Sequence, residues 1–182
     1  MKPLQNIVLI GLMGAGKTTV GRRLSQRIGR PMVDTDQEIE QRCGTSVAVI
    51  FEVEGEAGFR RREAKVVEEL MAQEGLVVTT GGGAPMDPQN QTFLSRGFVI
   101  YLEAEPRLLW TRLKTDQTRP LLTQADDPRA KIDELHALRD PIYRRLADLV
   151  VSSTKGSLTQ VINQIEARLI DEGLFRPLSE NA

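Results

Sequence analysis

The segment GLMGAGKT, from Gly11 to Thr18, restricts the fold and the chemistry of this chain more than any other feature. It matches the pattern G-x-x-x-x-G-K-[ST] and lies between an apolar, strand-like run and a segment with helical spacing. In this arrangement the glycines let backbone N–H groups surround a β-phosphate, Lys17 reaches the β and γ oxygens, and the Thr18 hydroxyl binds Mg²⁺. A glycine-rich turn without a ligand is the alternative. The flanking strand and helix favour a P-loop that binds a nucleoside triphosphate at Gly14, Ala15, Gly16, Lys17, Thr18 and Thr19.

The absence of two GTPase motifs indicates which nucleotide base the chain binds. A GTPase would carry N-K-x-D for guanine and D-x-x-G after a strand, and neither occurs in this chain. ATP is therefore the predicted nucleotide.

Five apolar runs of strand length alternate with helical segments, as in βαβ units around a parallel sheet. The first, third and fourth runs are almost continuously apolar, which predicts central strands covered by helices on both faces. The 182 residues fit one domain of the α/β class. The runs are NIVLI (6–10), PMVD (31–34), LVVTT (76–80), FVIYL (98–102) and DLVVS (148–152).

Two segments are too long or too irregular for a minimal βαβ alternation. Residues 36–75 exceed one crossover helix, so we expect several helices that form a small subdomain. Residues 114–127 are polar, contain Pro120 and show little periodicity, which predicts a mobile loop that acts as a lid. Residues 1–176 are then one kinase-sized domain, and 177–182 are a flexible tail.

Composition argues against several other classes of protein. The formal charge is −1 and aromatic residues make up 4% of the chain, so neither a nucleic-acid surface nor an anionic membrane is an expected partner. The single cysteine, Cys43, cannot form an internal disulfide, and the single histidine, His136, cannot build a Cys/His metal cluster. No apolar window is long enough to cross a membrane. A cytoplasmic protein fits these observations.

The second strand run ends in Asp34-Thr35-Asp36, which has two carboxylates separated by one residue. In an extended segment, positions i and i+2 project to the same side, so both groups can face the crevice at the carboxyl ends of the strands. We expect Asp34 to hold Mg²⁺ through water, and Asp36 to accept a proton or hydrogen bond from an acceptor hydroxyl. The alternative for Asp36 is an N-cap of a helix that begins near Gln37.

Three glycines and several arginines point to a pocket for a polar acceptor. Gly81, Gly82 and Gly83 follow a strand and permit positive φ and close approach of the backbone to a ligand. In FRRRE, which we expect to open a long helix, Glu63 can brace Arg60 by an i,i+3 pair. Arg139 precedes Asp140-Pro141, where we expect a new helix to start, and Arg119 lies in the expected lid. Guanidinium groups suit a carboxylate or a transferring phosphoryl group, although a solvated surface charge is the alternative for each arginine.

Six strings in order, GLMGAGKTT, DTD, FRRRE, TTGGG, TRPLL and LRDPIYRRLAD, extend over nearly the full length. Together they resemble the shikimate kinases. The resemblance implies a nucleoside-monophosphate-kinase-like fold with three layers, a five-stranded parallel sheet, a helical shikimate-binding subdomain and a lid over ATP.

The resemblance also implies roles for individual residues. Asp36 would bind shikimate hydroxyls and be a candidate base, and Asp34 would help to hold Mg²⁺. Arg60 and Arg139 would bind the shikimate carboxylate. Further contacts are implied for Gly81, Gly82 and Gly83 with shikimate, Arg119 with phosphates, and Arg112 with adenine. The string SSTKGSL after the last strand lacks a proline that some members place against adenine.

The predicted reaction is transfer of the γ-phosphoryl group of ATP to the 3-hydroxyl of shikimate, with Lys17, Asp36 and Arg119 as the catalytic residues and Mg²⁺ as the cofactor. A monomer is expected. Two rivals remain at this point. One is another small-molecule P-loop kinase, such as a gluconate or nucleotide kinase, and the other is a nucleotide-binding module without enzymatic activity.

Overall fold

All five apolar runs form β-strands in the computed structural model, which describes residues 4–116 and 120–176. The strands are β1 (Ile7–Ile10), β2 (Met32–Asp34), β3 (Val77–Thr79), β4 (Phe98–Glu103) and β5 (Leu149–Ser152). Every neighbouring pair is parallel, and the order across the sheet is β2-β3-β1-β4-β5. The three runs that were predicted to be central, β1, β3 and β4, are the three central strands.

Consecutive residues of the central strands are inaccessible to solvent, as at Val8, Leu9 and Ile10. Because neighbouring side chains of a strand point to opposite faces, helices must cover both sides of the sheet. The α/β class and the three-layer arrangement are therefore confirmed. The helices are α1 (Lys17–Ile28), α2 (Thr35–Cys43), α3 (Val47–Met71), α4 (Pro88–Leu94), α5 (Pro106–Leu113), α6 (Pro120–Thr123), α7 (Pro128–Leu146) and α8 (Leu158–Asp171), with a 3₁₀ turn at Ala84–Met86.

The segment 36–75 contains most of α2 and all of α3, a long helix interrupted by Gly55. Helix α3 begins after Ser46, whose side chain accepts a hydrogen bond from the N–H of Val49, so FRRRE does not open it as predicted. Gly55 has φ 70° and ψ 177°, a conformation that favours glycine, and it divides α3 into two sections. The FRRRE string lies near the start of the second section.

Helix α7 contains Arg139, Asp140 and Pro141 in its interior, so the prediction of a helix junction at this point was wrong. The helix starts instead after Asp127, which caps two N–H groups and is itself followed by a proline. An interior proline removes one backbone hydrogen bond, but burial of a continuous face can outweigh that loss. The buried face of α7 comprises Ile132, Leu135 and Arg139 before the proline and Tyr143 after it.

The carboxyl ends of three neighbouring strands lead directly into the segments singled out in the sequence. The P-loop follows β1, Asp34 ends β2, and the three glycines follow β3 after one residue. Because parallel strands end at the same edge of a sheet, the fold brings these segments into one crevice. Among the described residues, no helix is both long and apolar enough for a membrane span.

Candidate active site

The P-loop turns back on itself between β1 and α1 through glycines with positive φ. Gly14 has φ 77° and Gly16 has φ 92°, and Gly16 immediately precedes the first residue of α1. The Nζ of Lys17 donates hydrogen bonds to the carbonyl oxygens of Gly11 and Leu12, at 2.8 and 2.9 Å. The amino terminus of α1, with its backbone N–H groups and positive dipole end, is thus directed at the crevice.

A cleft of about 970 Å³ lies over this loop. It extends from the P-loop past β2 and β3 to the segment after β5, where Ser153 and Gly156 form part of its wall. It is large enough for a nucleotide. The predicted nucleotide-binding residues Gly14, Ala15, Gly16, Lys17, Thr18, Thr19 and Arg112 all line it.

Asp34 accepts four hydrogen bonds, which connect the end of β2 to α1, β3 and α2. Its Oδ2 accepts from the hydroxyl groups of Thr18 and Thr79, at 2.9 and 2.7 Å. Its Oδ1 accepts from the N–H groups of Asp36 and Gln37, at 3.1 and 3.3 Å. Asp34 therefore lies beside the Thr18 hydroxyl, as the predicted metal site requires.

The N-cap of α2 is Asp34 rather than Asp36, so the alternative assignment of Asp36 as the cap was wrong. The assumption of an extended Asp34-Thr35-Asp36 segment was also wrong, because α2 begins at Thr35. Asp36 therefore lies in the first turn of α2. Its side chain nevertheless lines the crevice.

A second, small cavity of about 60 Å³ adjoins the cleft and shares Met13, Asp36 and Pro120 with it. Phe51 and Phe59, whose ring centres are 4.8 Å apart, form an apolar part of its wall. Its charged lining residues are Asp36, Arg60, Glu63 and Arg139. The structure thus brings the predicted acceptor-binding residues together, although their binding roles stay predictions.

The three glycines after β3 lie against these charged side chains. A Cβ on Gly81 would be 2.8 Å from both Asp36 Oδ1 and Glu63 Oε1, and a Cβ on Gly83 would overlap the guanidinium of Arg60. None of the three glycines has a positive φ. Glycine is therefore needed here for close approach, and the positive φ that glycine also permits is not used.

Arg60 is held between two carboxylates of α3. Its Nη1 donates to Glu63 Oε2 at 2.6 Å, which confirms the predicted brace, and its Nη2 donates to the more exposed Glu56 at 3.1 Å. Burial by itself lowers the pKa of Arg60, but Glu63 and Glu56 together outweigh this effect and the pKa is raised. Its guanidinium therefore stays charged and oriented at the edge of the small cavity.

Glu63 is completely buried beneath this cavity, and burial raises its pKa to about 7 although Arg60 opposes the rise. Its Oε1 has no hydrogen-bond partner among the described residues, and the same is true of the Nε of the buried Arg139. A pair of guanidinium groups, one buried and one partly buried, can bind a carboxylate, and a nearby carboxylate can accept a hydroxyl hydrogen.

Comparison with known proteins identifies the family. The family model described as shikimate kinase matches residues 13–170. A shikimate kinase of Ralstonia nicotianae is 50% identical over 175 residues, 96% of this chain and 92% of that protein. One of Burkholderia pseudomallei is 48% identical over 178 residues, 97% of this chain and 96% of that protein.

A solved structure agrees with these sequence matches. The shikimate kinase of Acinetobacter baumannii, solved in complex with shikimate, superimposes with a TM-score of 0.89 at 42% identity. The match covers 93% of this chain and 94% of that one. The chain belongs to the shikimate kinase family.

Membership of the shikimate kinase family confirms the resemblance found in the sequence and decides between the rival interpretations. A gluconokinase of Sinorhizobium meliloti shares the fold with a TM-score of 0.58, but it is only 14% identical. The chain is an ATP-dependent phosphotransferase, so a nucleotide-binding module without activity is also excluded.

Of the two arginines predicted to contact ATP, the structure describes Arg112 but not Arg119. Arg112 donates to the carbonyl oxygens of Gly14 and Ser153, at 2.9 and 3.4 Å, and so joins the P-loop to the segment after β5. Its predicted contact with adenine stays a prediction. Arg119 lies outside the described residues, as does the predicted tail, 177–182.

Several residues of the shikimate kinase site were missing from the sequence-based set. Thr79 orients Asp34 and was passed over because it belongs to an apolar strand run. Met13 lies at an unspecified position of the P-loop pattern yet lines both cavities. For Glu63, in contrast, the three-residue spacing from Arg60 predicted that its carboxylate would brace the Arg60 guanidinium.

Proposed function

We propose that the chain transfers the γ-phosphoryl group of ATP to the 3-hydroxyl of shikimate, giving ADP and 3-phosphoshikimate on the route to aromatic amino acids. The observation that supports this function best is the junction of the two cavities. The nucleotide cleft opens beside a small cavity lined by one candidate base, Asp36, and two guanidinium groups, Arg60 and Arg139. Shikimate carries both a carboxylate and hydroxyl groups, which match these side chains.

The backbone N–H groups of the P-loop and the amino terminus of α1 would hold the β-phosphate. Lys17, which donates to the loop's own carbonyl groups at 2.8 and 2.9 Å, would exchange these contacts for β and γ oxygens. Phosphate oxygens are stronger acceptors for an ammonium group than neutral carbonyls. Arg119 remains the predicted partner of the phosphates from the lid.

The oxygen groups at the end of β2 fit Mg²⁺. Thr18 and Asp34 supply a hydroxyl and a carboxylate whose oxygens are 2.9 Å apart, and hard oxygen ligands of this kind suit Mg²⁺, which retains several waters. Mg²⁺, when bound with ATP, neutralises charge on the β and γ oxygens. Thr79 and the backbone of α2 would keep the Asp34 carboxylate oriented.

Asp36 would receive the proton of the 3-hydroxyl as the oxygen attacks the γ-phosphorus. The new bond joins the shikimate oxygen to phosphorus, and the bond between phosphorus and the β,γ-bridging oxygen breaks, so the electron pair leaves with ADP. Arg60 and Arg139 would hold the carboxylate at the other end of shikimate, which orients the hydroxyl for in-line attack.

We further propose a cytoplasmic monomer without nucleic-acid or membrane partners. The near-neutral formal charge and the free thiol of Cys43 support this assignment. Sedimentation at several protein concentrations would test the oligomeric state, and cell fractionation would test the location.

The acceptor is tested by measuring ADP release with ATP and Mg²⁺ in the presence of shikimate, gluconate or a nucleoside monophosphate. We expect release that depends on shikimate and stoichiometric formation of a phosphate monoester at its 3-position, detected by phosphorus NMR. Faster release with gluconate or a nucleoside monophosphate would refute the proposed acceptor. ATP hydrolysis that is unaffected by any acceptor would refute the transfer reaction.

A further inference from the structure

Tyr143 is a fully buried tyrosine of α7 that lies one helical turn after Arg139. Residues four positions apart occupy the same face of a helix, so both side chains point from α7 towards the glycines after β3. Neither the sequence motifs nor the reaction described above gives Tyr143 a role.

The hydroxyl of Tyr143 donates a hydrogen bond of 2.5 Å to the carbonyl oxygen of Gly82. Burial raises the pKa of this hydroxyl to about 12, against the opposing charge of Arg139 and a hydrogen bond that the phenol oxygen accepts from the Arg139 side chain. The phenol therefore keeps its proton at any pH at which the enzyme works, and it remains a donor.

Gly82 lies at the meeting point of the two substrate sites. A Cβ on this residue would be 3.3 Å from Arg139 Nη1, 3.3 Å from the carbonyl oxygen of Gly11 and 3.5 Å from the backbone nitrogen of Met13. Gly82 is thus packed between the guanidinium of Arg139 and the start of the P-loop. A shift of this peptide would change the position of one site relative to the other.

The hydrogen bond to the Gly82 carbonyl also fixes the N–H group that follows it. The described residues contain no cis peptide, and in a trans peptide the C=O of one residue and the N–H of the next point in opposite directions. Because the Gly82 carbonyl points to Tyr143, the N–H of Gly83 points away from Tyr143. The bond therefore sets the direction of a predicted shikimate contact.

We propose that Tyr143 is a positioning residue for the acceptor. The Tyr143 hydroxyl holds the Gly82 peptide in the position, relative to Arg139 and the P-loop, that shikimate binding requires. This inference rests on the proposed function. It adds to that function a buried phenol that is expected to act on shikimate binding without touching shikimate.

The neighbouring Tyr101 provides a matched control. Its ring centre is 5.1 Å from that of Tyr143, it is equally buried, and its hydroxyl donates to Asp140 at 2.8 Å rather than to the glycines. Asp140 also accepts from Arg144 at 2.8 Å, so it keeps a partner when Tyr101 loses its hydroxyl. Tyr143→Phe and Tyr101→Phe each remove one buried hydroxyl from the same ring pair.

The test compares the KM values for shikimate and for ATP in the two variants and the wild type. All three proteins are assayed at one temperature, below the lowest of their thermal unfolding midpoints. We expect Tyr143→Phe to raise the KM for shikimate about tenfold, because the Gly82 carbonyl loses its donor and the Arg139 side chain loses its contact with the phenol oxygen, and to change the KM for ATP by less than about twofold. Tyr101→Phe should change both values by less than about twofold. An unchanged KM for shikimate in Tyr143→Phe, or equal effects of the two variants, would overturn the inference.

A second variant covers the case in which Tyr143→Phe does not fold. Incorporation of 3,5-difluorotyrosine at position 143 keeps the ring and the oxygen but lowers the pH at which the hydroxyl ionises. The KM for shikimate should then begin to rise at a lower pH than in the wild type, and identical pH profiles would refute the proposal. Wild-type enzyme without shikimate-dependent activity would instead refute the proposed function itself.

Discussion

Glu63 should make the stability of this protein depend on pH, with a size that follows from its burial. The carboxyl is inaccessible to solvent, and burial raises its pKa from an ordinary 4.5 to about 7. The folded chain therefore retains a proton that the unfolded chain has already released between these two values. The free energy of unfolding falls as the pH rises through this window, and the loss is complete above it. The full change corresponds to about 3 kcal/mol.

The substitution Glu63→Gln should remove this component, since an amide does not titrate. The glutamine oxygen can still accept from Arg60, so the contact that Glu63 Oε2 makes in the wild type is kept. Urea unfolding of both proteins at intervals between about pH 5 and pH 8 measures the effect. The free energy of unfolding of Glu63→Gln, relative to the wild type, should increase by about 3 kcal/mol across that range.

Glu56→Gln is the matched control, because Glu56 contacts the same guanidinium at 3.1 Å but is half exposed. Its unfolding free energy should follow the pH profile of the wild type. A wild-type profile in Glu63→Gln would refute the argument from burial. A flattened profile in Glu56→Gln would show that the effect belongs to Arg60 and its ion pairs in general.

Three further substitutions test the assigned roles by steady-state kinetics. Lys17→Ala should reduce kcat about 100-fold or more with a smaller effect on the KM for shikimate, because Lys17 would stabilise charge on the transferring phosphoryl group; a change confined to that KM would contradict this role. Arg60→Ala should raise the KM for shikimate about 10- to 100-fold with little change for ATP, whereas equal losses for both substrates would indicate a structural role. Gly83→Ala should also raise the KM for shikimate selectively, since the added methyl would overlap the Arg60 guanidinium, and an unchanged KM would mean that Arg60 can move without consequence.

The central position of three strands was accessible from the sequence because burial on both faces leaves a trace in composition. The runs that became β1, β3 and β4 contain almost no polar residue, and these strands occupy the centre of the sheet. The P-loop was equally clear, since its chemistry depends on the backbone and on two side chains at fixed spacing. Both features can be recognised in short segments of sequence, so their prediction did not require knowledge of tertiary contacts.

Predictions that depended on where a helix begins were less successful. Asp34 and Asp36 are both plausible caps by residue type, and the short β2 strand places the start of α2 at Thr35, so Asp34 is the cap. Two Asp-Pro pairs occur around α7, and only Asp127-Pro128 starts a helix. The second pair lies between Arg139 and Tyr143, two residues of the buried face of α7, and the packing of that face overrides the local preference.

The sequence by itself determined the order of strands and helices, the phosphate-binding loop and the residue types available for an acidic alcohol, because each of these follows from neighbouring residues. Only the tertiary structure decided that Glu63 is buried under Arg60 and that Tyr143 bonds to Gly82 from a helix 61 positions away in the chain. Burial and contact between distant segments depend on how the layers pack around the sheet. The residues that neighbour Glu63 and Tyr143 in the sequence do not indicate the burial of Glu63 or the contact of Tyr143 with Gly82.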